Sequence, residues 1–172
     1  MPIYALGDQV PQIDSTAYVH PDAVIIGSVT LGAQSSVWPT AVLRADYGQI
    51  IVGSQTSIQD GTIVHCTSRH PTRIGDRCTI GHNAHLEGCE ILDDSLIGSG
   101  SVVLALAVVG PHAMVGAAAM VPGGTIVPRG ARALGVPARI AEGVIDEGSL
   151  QRYVDIYTAN ARRYAAQLRR LD

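Results

Sequence analysis

Branched aliphatic residues fall on every sixth position from Ile13 through Val19, Ile25, Leu31, Val37 and Leu43. Four residues beyond the first five sit Ala17, Ala23, Val29, Ser35 and Ala41, mostly small. The period breaks, resumes at Val52, Ile58 and Val64, breaks again, and continues through Ile74, Ile80, Leu86 and Leu92. A five-residue step leads to Ile97, Val103, Val109, Val115, Val121 and Val127, with Ser101, Ala107, Ala113, Ala119, Thr125 and Ala131 behind them. No helix has a period of six, and a plain alternating strand does not space its small residues this way. The pattern fits a triangular prism in which six residues make one short strand and one turn, and three such units close a coil. Aliphatics point inward, small residues occupy the corners, and Gly, Asp, Asn and Ser supply the turns. The expected fold is an all-β solenoid, a parallel β-helix of about six triangular coils over residues 1–148.

Two interruptions, RADYGQII at 44–51 and CTSRHPTR at 66–73, add residues between regular strands and are expected to bulge outward as loops. From Ser149 the spacing turns helical, with Leu150, Tyr153, Val154, Tyr157, Ala161, Tyr164, Ala165, Leu168 and Leu171 at three- and four-residue steps. Residues 149–172 are therefore expected to form a helix along the outside of the prism, with Ser149 as N-cap and Arg162, Arg163, Arg169 and Arg170 suiting its C-terminal half. The tyrosines on it read as packing.

Composition narrows the classes. A net charge of −3 gives no electrostatic case for nucleic acid or an anionic membrane. The start MPIYALGDQV lacks the features of a signal peptide, and the longest apolar run falls far short of the roughly 20 residues of a membrane span. Three cysteines without CxxC spacing suggest reduced thiols in a cytoplasmic protein.

The chemistry concentrates between His65 and Glu90. His65 and Glu87 each follow an inward aliphatic by one, so they share a repeat position. Removing four loop residues from their separation leaves one coil, which stacks them on adjacent rungs about 4.8 Å apart, both outward. Two such ligands can share a zinc ion. His82 falls at a corner, with Asp60 its equivalent one rung earlier, and reaches sideways toward a second copy, for which a cyclic homotrimer is the natural closure. His85 points outward beside the stack and can join or support the metal ligands. His20, His70 and His112 have no partner at ligand spacing and read as surface or turn residues. Cys66 should face inward as a buried thiol.

VTLG, TSIQDG, TIGHNA and GVPARI resemble the hexapeptide-repeat family, which implies a left-handed β-helix. VLRADYG, SIQDGTIVHC and TIGHNAHLEG further resemble the γ-class carbonic anhydrases, which implies a zinc, iron or cobalt ion held by histidines between subunits of a trimer. By motif, His65 and His82 match two of those histidines and Arg44 with Asp46 an intersubunit ion pair. Gln59 matches the residue that positions the attacking hydroxide, and Asp60 a partner carboxylate. Glu87 stands where the family has its third histidine, and the family's acidic proton-shuttle loop has no counterpart. The resemblance implies reversible hydration of CO2 to bicarbonate, made weaker by Glu87, because a carboxylate ligand offsets one unit of the metal's charge. The competing readings are a hexapeptide acyltransferase, with His70 its candidate histidine, a different metal-dependent hydrolase, and a non-catalytic trimer binding a small ligand.

Overall fold

The hexad builds the fold one rung at a time. The computed structural model describes residues 2–172, and its strands, mostly of two or three residues, wind into a parallel triangular β-helix. On the first face Ile25, Leu43, Val64, Leu86, Val103 and Val121 are register partners on successive strands, all with no exposed surface. Leu31, Val52, Ile74, Ile91, Val109 and Val127 form the second ladder. Val19, Val37, Ile58, Ile80, Ile97, Val115 and Ala133 form the third. Each buried Val, Leu or Ile contributes about 1.5–3 kcal/mol of transfer free energy, so these three columns are the main stabilising term.

The third face carries seven parallel strands, from Tyr18–Val19 to Arg132–Leu134, so the prism has seven rungs rather than about six. The seventh escapes a count of branched aliphatics because Ala133 takes their place there. The strand Arg139–Ala141 then pairs antiparallel with Arg132–Leu134 and closes that end.

Two local expectations need correction. Ile91, not Leu92, is the inward residue of its rung, so the five-residue step runs from Leu86 to Ile91, around a corner where Gly88 has a φ of +62°. Residues 44–51 are not a loop. They lie inside the strand Val42–Val52, which crosses from the first face to the second alongside Val24–Leu31. The surplus is absorbed as a bulge: Gly27 pairs Ala45 and Val29 pairs Ile50, so Asp46–Gln49 stand opposite Ser28 alone. Gly27 is needed there, since its φ is +79° and a Cβ would lie 2.2 Å from the Ala45 carbonyl oxygen. The second interruption does leave the ladder, between His65 and Thr72, with Thr67 N–H donating to the His70 carbonyl.

The helix α1, Gln151–Gln167, covers the third face at the strands Tyr18–Val19, Ser36–Val37 and Ser57–Ile58. Val154 and Ala161 are its buried residues, and Tyr157 and Tyr164 stand edge-on to Trp38 with ring centroids at 5.5 and 5.1 Å. Leu150 holds the N-cap position with no side-chain cap bond, so Ser149 does not serve there. Leu168 is extended, which leaves Arg169 and Arg170 beyond the helix, and Arg162 instead donates to Gln34 Oε1 at 2.9 Å. Among the described residues no helix is long and apolar enough to cross a membrane.

Candidate metal centre

Strand register brings the charged residues of the first face into one line. Arg44, His65 and Glu87 are partners on three consecutive strands, each following an inward aliphatic and therefore facing out. The bulge turns Asp46 back toward them. Arg44 Nη1 and His65 Nε2, the latter at 2.9 Å, both bind the Asp46 carboxylate. Burial pushes the Asp46 carboxyl up, but the hydrogen bonds from His65 and Arg44 outweigh it and hold the group below the usual carboxylate range. Within the single chain, Arg44 and Asp46 already pair with each other.

On its other side, His65 Nδ1 lies 3.4 Å from Glu87 Oε1, and the second Glu87 oxygen lies 3.5 Å from His85 Nε2. A neutral imidazole has one N–H. With that proton on Nε2 toward Asp46, the Nδ1 lone pair confronts a carboxylate oxygen, an arrangement that lacks a positive charge between them. The pair thus fits two neighbouring donors of one cation, and Asp46 fits the carboxylate that orients a ligating histidine. Thr72 supports this rung, a role that nothing in the repeat signals: its hydroxyl donates to the His65 carbonyl and accepts the Gly88 N–H at 2.8 Å. Cys66 is fully buried, its thiol raised by burial, and offers no donor outward.

The opposite edge of the same face holds Asp60 and His82 on consecutive rungs, with Asp60 Oδ2 2.9 Å from His82 Nδ1. That carboxylate claims the Nδ1 proton and leaves Nε2 with a lone pair. The hydroxyl of Tyr157 on α1 reaches it at 3.3 Å. The Tyr157 phenol is raised by burial and by the charge of Asp60, so it stays a neutral donor. The Tyr157 ring does pack, as its spacing suggests; only the placement of helix on prism reveals the hydroxyl's second role. Gln59, the residue before Asp60, is buried.

His65 and His82 thus occupy opposite edges of one face. Among the described residues, no three His, Cys, Asp or Glu side chains converge on a cation position within the chain. Between the edges runs an outward column of Val24, Val42, Ile63, His85, Val102 and Met120, apolar apart from His85. His20 departs from expectation by being buried, and it accepts the Asp22 N–H. His112 is the turn residue expected but has acidic partners, Asp94 at 3.8 Å and Glu147 at 3.3 Å.

The prism with this edge chemistry defines a hexapeptide-repeat protein, and the comparisons agree. The family profile Bacterial transferase hexapeptide (six repeats) matches residues 71–105. The Escherichia coli K12 Carnitine operon protein CaiE is 40% identical over 147 residues, covering 86% of this chain and 75% of its own. The Arabidopsis thaliana mitochondrial Gamma carbonic anhydrase 1 is 40% identical over 168 residues, 93% of this chain but 61% of the longer plant protein. Among solved structures, the product of the Bacillus cereus BC4754 gene superposes with a TM-score of 0.93 at 32% identity, covering 96% of this chain and 98% of that one. A hexapeptide transferase family protein from Anaplasma phagocytophilum gives 0.84 at 36% identity, over 90% and 92%. The chain belongs to the hexapeptide-repeat family with its left-handed β-helix.

Proposed function

We propose that this protein is a metal-dependent enzyme of γ-carbonic-anhydrase type, which interconverts CO2 and bicarbonate at a zinc, iron or cobalt ion shared between the subunits of a homotrimer. One observation carries the reading: the two half-sites, His65 with Glu87 and Asp60-oriented His82, lie at opposite edges of one exposed face. When that face packs against the next copy around a three-fold axis, the edges of neighbouring chains meet. The outward apolar column between them supplies the contact. His65, Glu87 and His82 then hold the ion, with His85 in reserve beside Glu87.

A bound divalent ion supplies Lewis acidity, acidifying water and polarising a CO2 oxygen. The chain's residues do the rest. Asp46 and Asp60 fix the tautomers of His65 and His82, and Arg44 balances the charge of Asp46. The Gln59 amide offers a donor and an acceptor to orient the attacking water, whose oxygen joins carbon while its proton leaves to solvent. Glu87 lowers the charge felt by that water and moves efficient hydration to higher pH.

A second reading, acyl transfer, is favoured by His70. It lines an open cleft on the second face with Arg73, Gly88, Glu90 and Leu106, and transferases share this fold. The test is metal content of purified wild type and His65→Ala, with stopped-flow CO2 hydration and acetyl-CoA binding on the same samples. About one metal per chain, lost with hydration in His65→Ala, supports the reading, since a cyclic trimer has one interface per chain. Metal-free protein that binds acetyl-CoA replaces it with acyl transfer.

A further inference from the structure

We propose that Tyr157 competes with the metal for one lone pair, Nε2 of His82, so that loading the metal detaches the hydroxyl of α1 from the prism. The inference rests on the reading of His82 as a ligand. Three observations carry it. Asp60 at 2.9 Å holds the Nδ1 proton, so Nε2 is the sole acceptor on the ring. Tyr157 Oη already occupies it at 3.3 Å. That hydroxyl is not free to wander: its ring is seated edge-on against Trp38, beside Tyr164, which also packs on Tyr18 at 6.3 Å. With two side-chain torsions and a fixed ring, the hydroxyl position follows the docking of the helix.

A zinc–imidazole bond is about 2.0–2.1 Å long. An ion on the His82 lone pair would sit between ring and phenol oxygen, where a protonated hydroxyl aimed at the nitrogen cannot remain. Tyrosine could stay only by losing its proton and becoming a ligand. An ion about 2.0–2.1 Å from the nitrogen leaves too little of the 3.3 Å gap for the phenol oxygen to bind it in place. The hydroxyl therefore yields, and the strain of its departure passes to α1 and to Trp38. Metal-free protein keeps His82 ordered and its lone pair satisfied, while the helix opposes casual loading. The chain contains one tryptophan, so Trp38 reports the exchange directly.

The test is zinc titration of metal-free wild type, Tyr157→Phe and His82→Ala, read by calorimetry and by Trp38 fluorescence. Phenylalanine keeps the ring contact and removes only the hydroxyl. Tyr157→Phe is expected to bind zinc about fivefold more tightly, the equivalent of one ordinary hydrogen bond. Wild type is expected to change its Trp38 emission on binding, and Tyr157→Phe to change it much less. Equal or weaker zinc affinity in Tyr157→Phe overturns the competition and leaves the metal reading intact. No zinc bound by either protein, or unaltered binding in His82→Ala, overturns both.

Discussion

Asp46 Oδ1 and His65 Nε2 lie 2.9 Å apart although 19 residues separate them, because the bulge in one strand turns the carboxylate onto the histidine of the next. On the proposed metal, Asp46 would act only through His65. Asp46→Asn keeps the shape but can present its amide N–H to the ring, allowing the other tautomer. Zinc affinity is expected to fall about 10–100-fold, the usual cost of removing a carboxylate behind a ligating histidine. Competition dialysis against a chelator measures it, and an unchanged affinity would detach Asp46 from the site.

In the proposed centre Glu87 supplies a carboxylate beside two imidazoles. Glu87→His removes one negative charge from the ligand set and is expected to bring the pH midpoint of CO2 hydration down toward about 7. The rate at neutral pH should rise about fivefold or more, because lowering the midpoint by one unit to about 7 raises the hydroxide fraction there from about a tenth to a half. Stopped-flow hydration across pH 6–9 checks this, and a lower rate in the variant would show that Glu87 serves the chemistry rather than weakening it.

The face between the two half-sites has to be covered for them to meet. Ile63, 40% exposed in the single chain, is the centre of the apolar column. Ile63→Glu places a charge in the contact at no cost to the core ladder. The expected outcome is a monomer by light scattering, with wild-type circular dichroism and zinc content reduced to a small fraction. A wild-type protein that is itself monomeric would remove the shared site altogether.

Arg77 and Asp94, on neighbouring rungs, bind through Nε at 2.7 Å and Nη2 at 3.0 Å. The Arg77 guanidinium holds the Asp94 carboxyl below its ordinary range, against the opposing effect of burial. A depressed carboxyl stabilises the fold above its unfolded value, about 3.9, and loses that contribution as pH falls through the folded value. Wild-type melting temperature should therefore drop more steeply below about pH 4 than that of Asp94→Asn. At pH 7 the variant should be less stable by about 1 kcal/mol, allowing for solvent screening of a partly exposed pair. Parallel slopes would refute the assignment.

Burial raises the Cys78 and Cys89 thiols to about 12, and the Cys66 thiol is raised as well. None should react with a disulfide reagent at pH 8 in the native state, and all three should react in denaturant. Fast native labelling would show that the prism opens locally around a cysteine.

Most of the fold can be read from the chain because one period governs it. Sequence and structure part where two positions are chemically interchangeable or a length rule is too simple. Ile91 and Leu92 are both aliphatic, so counting alone cannot say which one turns inward at the shortened corner. Residues 44–51 look like a loop because they are surplus; the companion strand Val24–Leu31 keeps both ends paired, and a bulge at Asp46–Gln49 with a glycine opposite absorbs the excess. The stacking of His65 on Glu87 and the pairing of Asp60 with His82 follow from register, since both are neighbours along the prism axis. The link from Tyr157 to His82 spans 75 residues and depends on how a helix lies on a face, which no period records.

Apart from Tyr157 on α1, every side chain proposed to hold or orient the ion of the candidate centre belongs to the strands Val42–Val52, Ser57–Ile58, Ile63–His65, Thr79–Ile80 and His85–Glu87 or to the turns beside them. The rungs from Leu96 onward contribute none of its side chains. Those later coils are thus free to vary in number: an extra one inserted after Val103 would lengthen the molecule without moving a ligand. The return segment to α1 would merely have to grow, because the helix docks on the early rungs. Evolution can in this way change the height of the particle, and what its far end meets, as a variable separate from its chemistry.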